Sequence, residues 1–128
     1  INFEYRKFFM PGFYWSLRAG FWNDQSSGEN RNPSGYFSGS AGIKVNTQPI
    51  VARCGLGLSA ITSPDSYLGG RFPMFNLELF LGLEDGYGNG IGLKYEHISS
   101  AGLVMPNLGR DFLLVQLNTN LSLFEGDN

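Results

Sequence analysis

The chain contains a single histidine, His97, with Ser99 two residues on and Asp111 fourteen residues after it. Serine attacks an ester only when a base takes its proton. An imidazole can be that base, and a carboxylate on its other nitrogen fixes the tautomer. On a β-strand, side chains two apart share one face. His97 and Ser99 are therefore expected to point the same way, with Asp111 joining them from the start of the next strand. One hairpin would then bring together a nucleophile, a base and an orienting carboxylate. The face they share reads as the apolar outside of a barrel, so the expected substrate is a lipid.

The elements that must hold this trio are strands. Segments at roughly 2–10, 12–22, 35–45, 50–61, 73–84, 89–99 and 111–124 alternate in polarity, and none carries a sustained helical period. Phe13, Trp15, Leu17, Ala19 and Phe21 oppose Tyr14, Ser16, Arg18 and Gly20. Ile91, Leu93 and Tyr95 lead up to His97 and Ser99, against Gly92, Lys94 and Glu96. Leu113, Val115 and Leu117 oppose Gln116 and Asn118. Two architectures fit such alternation. A soluble barrel buries the apolar face, whereas an outer-membrane barrel turns it to lipid and fills its lumen with a charged, hydrogen-bonded network. Three features favour the membrane form: nearly uninterrupted Leu, Phe and Ile on one face, glycines among the opposing charges, and connections of alternating length. The links at Pro11-Gly12, 46–49 and 85–88 are short, and those at 23–34, 62–72 and 100–110 are long. Short turns at one end and long loops at the other are the outer-membrane habit. The long loops are then extracellular, and Arg18, Arg53, Glu78 and Glu96, with Lys44 and Lys94, are expected to pair inside.

The fold class is thus an all-β, small antiparallel outer-membrane barrel, read as a single domain over residues 1–128. Single-chain bacterial barrels have an even strand count. With seven strands legible, an eighth is expected before Ile1, rising from the periplasm.

Composition narrows the function. The net charge is −2, charged residues make up 16%, and Lys and Arg do not cluster, so no nucleic-acid partner is expected. One cysteine, Cys54, allows no internal disulfide and no cysteine-based zinc site, and with one histidine no metal or other cofactor is expected. No run of about 18 apolar residues is present to form a transmembrane helix, which leaves a barrel open.

The stretch Gly92 to Leu121 resembles the C-terminal part of the outer-membrane lipid A 3-O-deacylases, the PagL family. The resemblance is carried by His97, Ser99, Ala101, Gly102, Pro106, Asn107, Gly109 and Asp111, in the order H-x-S-x-A-G-x-x-x-P-N-x-G-x-D. Its specificity sits in about fifteen residues, and the earlier strands align loosely in spacing. The resemblance implies an eight-stranded barrel of the bacterial outer membrane with its catalytic residues on the outer wall. It implies Ser99 as nucleophile, His97 as general base, Asp111 as orienting acid, and the backbone N–H groups of Ser100 and Gly102 as oxyanion donors. It also implies lipopolysaccharide, through its lipid A, as the partner, within outer-membrane lipids. Two positions depart from the family pattern. Its acid is a glutamate, one methylene longer than Asp111, and its serine is followed by an asparagine where this chain has Ser100.

An acyl chain is expected along Leu93, Tyr95, Leu113 and Val115. Blander readings stand beside these. Ser99 alone would be a turn residue, Asp111 alone a charge guarding a strand end, and His97 beside Tyr95 an interfacial side chain. Trp15 and Trp22 are expected to anchor the membrane interface. Asp85-Gly-Tyr-Gly-Asn reads as a turn, and Gly-x-Gly at 55–57 and 90–92 lacks the helix of a phosphate loop. Three functions follow: a serine esterase that removes an ester-linked acyl chain from lipid A; a non-catalytic barrel of the same fold serving as a structural subunit of an outer-membrane assembly or homo-oligomer; and a soluble lipid-binding barrel of inverted polarity.

Overall fold

The computed structural model describes residues 1–23, 33–62, 73–100 and 109–119. Seven strands run in chain order: β1 (Asn2–Met10), β2 (Phe13–Asn23), β3 (Pro33–Thr47), β4 (Ile50–Ile61), β5 (Met74–Glu84), β6 (Gly90–Ser99) and β7 (Arg110–Asn118). Each pairs antiparallel with the next, in one sheet of order β1 to β7. Among the described residues β1 and β7 are its two edges. The sheet curls on itself, since Lys94 on β6 reaches Glu4 on β1 and the Trp22 ring on β2 packs 5.3 Å from Phe112 on β7.

The strands lie where the alternation predicts them, with shifted ends. β3 runs four residues longer than the expected 35–45, because Pro33 and Ser34 pair with Asn23 and Trp22, and Asn46 and Thr47 with Val51 and Ile50. Strand seven starts at Arg110 and ends at Asn118; the expected extension through 120–124 lies outside the described residues.

Burial settles the polarity. Leu17, Phe37, Leu56, Leu81, Leu93, Leu113 and Leu117 stand exposed, up to 75% for Leu117, whereas Arg18, Lys94 and Glu96 are at 3% or below. A soluble protein does not expose so continuous an apolar belt. The apolar face is the outer wall, and the soluble reading fails on it.

Inside, the charged side chains are paired with one another, because an unpaired charge in a narrow lumen is costly. Glu78 on β5 is the hub. Tyr14 and Ser40 hydroxyls donate to its Oε1 at 3.0 and 3.1 Å, and Arg18 Nη1 and Lys94 Nζ lie 3.2 and 3.1 Å from its Oε2. Arg18 also pairs with Glu96 at 2.6 Å, and Lys94 with Glu4 at 2.8 Å. Nearer the short turns, Lys44 and Arg53 both pair with Glu84, and Asn118 donates to the same carboxylate. The expected network is present. Glu4, Arg6, Glu84 and Tyr14 belong to it as well, although their place in it was not anticipated. Gly42 and Gly55 make room for it: a Cβ on either would come within 2.6 Å of the Tyr14 hydroxyl or 2.5 Å of Glu78 Oε1.

Trp22 corrects an expectation. It carries the inward parity of β2 and packs between Tyr36 and Phe112, so it is a lumen side chain rather than an interface anchor. With Tyr36, Ile61, Met74, Ile98 and Phe112 it forms an apolar plug at the loop end of the barrel. Trp15 does point outward, its ring 5.6 Å from Tyr5.

Candidate active site on the outer wall

The apolar plug lies behind the expected trio. Ile98 is fully buried in it, between His97 and Ser99 in the chain. Because strand side chains alternate, anchoring Ile98 inward turns both neighbours outward. β6 is held on both sides here. His97 pairs with Leu77 and Asp111, and Ser99 with Phe75.

His97 and Asp111 are directly opposed across the β6–β7 ladder, and His97 Nδ1 lies 2.7 Å from Asp111 Oδ1. With the carboxylate ionised, Nδ1 carries the proton and Nε2 is left as the basic nitrogen. The Tyr95 hydroxyl donates to the same Oδ1 at 2.6 Å. Tyr95 lies two residues before His97 and opposite Leu113, which makes its contact with Asp111 a diagonal one. Such diagonals lie within reach of aromatic side chains.

Gly109 completes the cradle of the imidazole. Its φ of +71° is a conformation that side-chain-bearing residues rarely adopt. A Cβ there would meet His97 Cε1 at 2.6 Å and Nε2 at 3.2 Å. The glycine lets β7 begin close against the ring.

The structure thus brings His97 and Asp111 together and sets Ser99 on the same face of β6, with no hydrogen bond between Ser99 and His97 among the described residues. Catalytic hydrogen bonds often tighten only around substrate. Ser100 is fully buried behind the site. Gly102, like Ala101, Pro106 and Asn107, lies outside the described residues. Leu93 and Tyr95 border a depression of about 360 Å³ on the outer wall, which crosses Leu79 and Leu81 of β5 to Ala52 and Cys54 of β4 and to Ile43 and Val45 of β3. Leu113 and Val115 stand on β7, on the other side of β6, exposed at 73% and 71%. The described residues contain no cluster of metal-ligating side chains.

Sequence reasoning missed two contacts: the Tyr95 hydroxyl on Asp111, and Gly109 against the His97 ring. The signal for the first was present, since Tyr95 shares the parity of His97 and sits diagonal to Asp111. The second depends on backbone conformation, which the spacing does not reveal.

Three comparisons bear on this geometry. The family described as lipid A 3-O-deacylase (PagL) matches residues 4–120. The fold is similar to that in the crystal structure of the outer membrane enzyme PagL, with a TM-score of 0.66 over 89% of this chain and 83% of that one, at 20% identity. No curated protein sequence matches the chain. The outward apolar face, the strand order and a family match spanning nearly the whole chain agree, and the protein is an outer-membrane β-barrel belonging to the PagL family of lipid A 3-O-deacylases.

Proposed function

We propose that this barrel is a serine esterase that removes an ester-linked acyl chain from lipid A, with Ser99 as nucleophile, His97 as general base and Asp111 as the carboxylate that orients the imidazole. The observation that carries the reading is the 2.7 Å contact between His97 Nδ1 and Asp111 Oδ1 on the lipid-facing wall, beside an outward Ser99. In a general base such a pair fixes the tautomer and stabilises the imidazolium that forms.

In this mechanism Ser99 Oγ attacks the ester carbonyl while His97 Nε2 takes its proton. The carbonyl oxygen becomes an oxyanion, held by the backbone N–H groups of Ser100 and Gly102. The tetrahedral intermediate collapses, the C–O bond to the sugar breaks, and the departing oxygen takes the proton from His97. Water then repeats the sequence on the acyl-serine and releases a fatty acid. The lipid around the site excludes water and strengthens each electrostatic contact. The acyl chain lies against Leu93 and Tyr95, with Leu113 and Val115 flanking it on β7.

In hydrocarbon an open sheet edge does not persist, because its N–H and C=O groups have no water to bond. The working barrel in this reading therefore has β1 and β7 paired with a further strand.

The rival is a non-catalytic barrel of the same fold serving as a structural subunit, and the shorter acid at position 111 favours it. Mass spectrometry of lipid A from cells expressing the wild type or Ser99→Ala separates the two. Loss of one acyl chain that depends on Ser99 supports the esterase. Unchanged lipid A in both leaves the structural barrel.

A further inference from the structure

Asp111 reaches the imidazole with a short and exposed side chain. It has one methylene between backbone and carboxyl, and its side chain is 64% exposed on a wall that faces lipid. A carboxylate in that position has little to hold its rotation once water is gone. Yet two donors converge on one oxygen: His97 Nδ1 at 2.7 Å and the Tyr95 hydroxyl at 2.6 Å both meet Oδ1. The donors sit two residues apart on β6, so the carboxylate is gripped from two points of one rigid strand.

We propose that Tyr95 is a positioning residue for the esterase, acting through its hydroxyl on Asp111 to hold the His97 imidazole in the tautomer and orientation that aim Nε2 at Ser99. This rests on the esterase reading of the site. The phenol donates its proton to the carboxylate and takes no part in the reaction. It adds a second restraint on the carboxylate, beside the contact with the imidazole. The ring of Tyr95 can still contact lipid, and the hydroxyl alone carries the positioning role.

Tyr95→Phe separates the two, because it keeps the ring and removes only the donor. Losing one hydrogen bond to a charged group is expected to lower kcat about tenfold, with KM for the lipid unchanged. In an Asp111→Asn background, Tyr95→Phe should cost nothing further, since the carboxylate it restrains is gone. In an Asp111→Glu background, Tyr95→Phe should cost less than it does beside Asp111, because a displaced carboxylate no longer depends on the phenol.

A second measurement needs no activity. His97 is the only histidine in the chain. Protein labelled with ¹⁵N-histidine in detergent micelles therefore shows one imidazole, and its nitrogen shifts report the tautomer. The wild type should show a single Nδ1–H form, and Tyr95→Phe a mixture. Equal spectra for the two proteins, or a kcat that Tyr95→Phe leaves intact while KM rises, would overturn the proposal and make Tyr95 a lipid contact only. A wild type that releases no fatty acid but shows the tautomer change would sink the esterase reading and leave the positioning contact standing.

Discussion

Asp111 Oδ1 lies 2.7 Å from His97 Nδ1 because the two residues are directly opposed in the β6–β7 ladder. Directly opposed side chains on one face have Cβ atoms about 5 Å apart, a gap that an imidazole and a one-methylene carboxylate can bridge. A register slip of one residue would turn His97 into the lumen and break the contact. The candidate site therefore depends on register, and register is set by the buried side chains on the other face.

Replacing Ser99 or His97 with Ala is expected to reduce deacylation by about 10⁴-fold or more, with the double variant no worse than either single one. Both side chains point away from the lumen network, so the barrel should keep the wild-type strand signal in circular dichroism. A double variant clearly slower than each single one would show that the two residues do not act as a unit.

Asp111→Asn removes the charge that stabilises the imidazolium and is expected to cost about 10²- to 10⁴-fold in kcat, at most as much as losing His97. Asp111→Glu is the sharper comparison. In a working enzyme built around the shorter acid, Glu slows the reaction; in a lapsed one, it restores activity. Fatty-acid release from lipopolysaccharide vesicles distinguishes these outcomes. Silence from both the wild type and Asp111→Glu would exclude an esterase.

Gly109→Ala places a methyl group where the His97 ring lies and forces a side chain on a backbone with φ of +71°. The strain costs about 1–2 kcal/mol, and relief by moving the ring should lower kcat at least about tenfold, by analogy with other small misplacements of a catalytic group. Unchanged turnover in a stably folded Gly109→Ala would show that the glycine does not govern the imidazole.

Glu78→Gln tests the lumen rather than the site. It leaves Arg18 and Lys94, both nearly fully buried, without one of their counter-charges. Breaking a buried pair by removing one partner costs about 3–5 kcal/mol, so the urea midpoint for unfolding from lipid vesicles should fall well below that of wild type. Surface charges tolerate such changes, so a midpoint within experimental error of wild type would mean that the network is not stabilising.

How much of this was legible in the chain follows from what each feature depends on. Strand positions, the inward or outward parity of Arg18, Lys94, His97 and Leu93, and the alternation of short and long links all follow from a period of two, which is local and survives in any linear reading. Parity could not say which face meets lipid by itself, because a soluble and a membrane barrel share it. Glycines among the charges and the continuous apolar face tipped that choice, and the burial of Arg18 and Glu96 against the exposure of Leu117 confirms it. The individual partners were decided only by the curl of the sheet. Glu84 rather than Glu78 takes Arg53, Glu4 at one edge reaches Lys94 near the other, and Trp22 turns into the lumen to meet Phe112. Such contacts join residues up to 90 positions apart, and their choice depends on strand stagger and lumen width, which no local pattern encodes. The same holds at the site. Residue types and spacing pointed to His97, Ser99 and Asp111, whereas the converging Tyr95 hydroxyl and the bare Gly109 beneath the ring are products of cross-strand geometry.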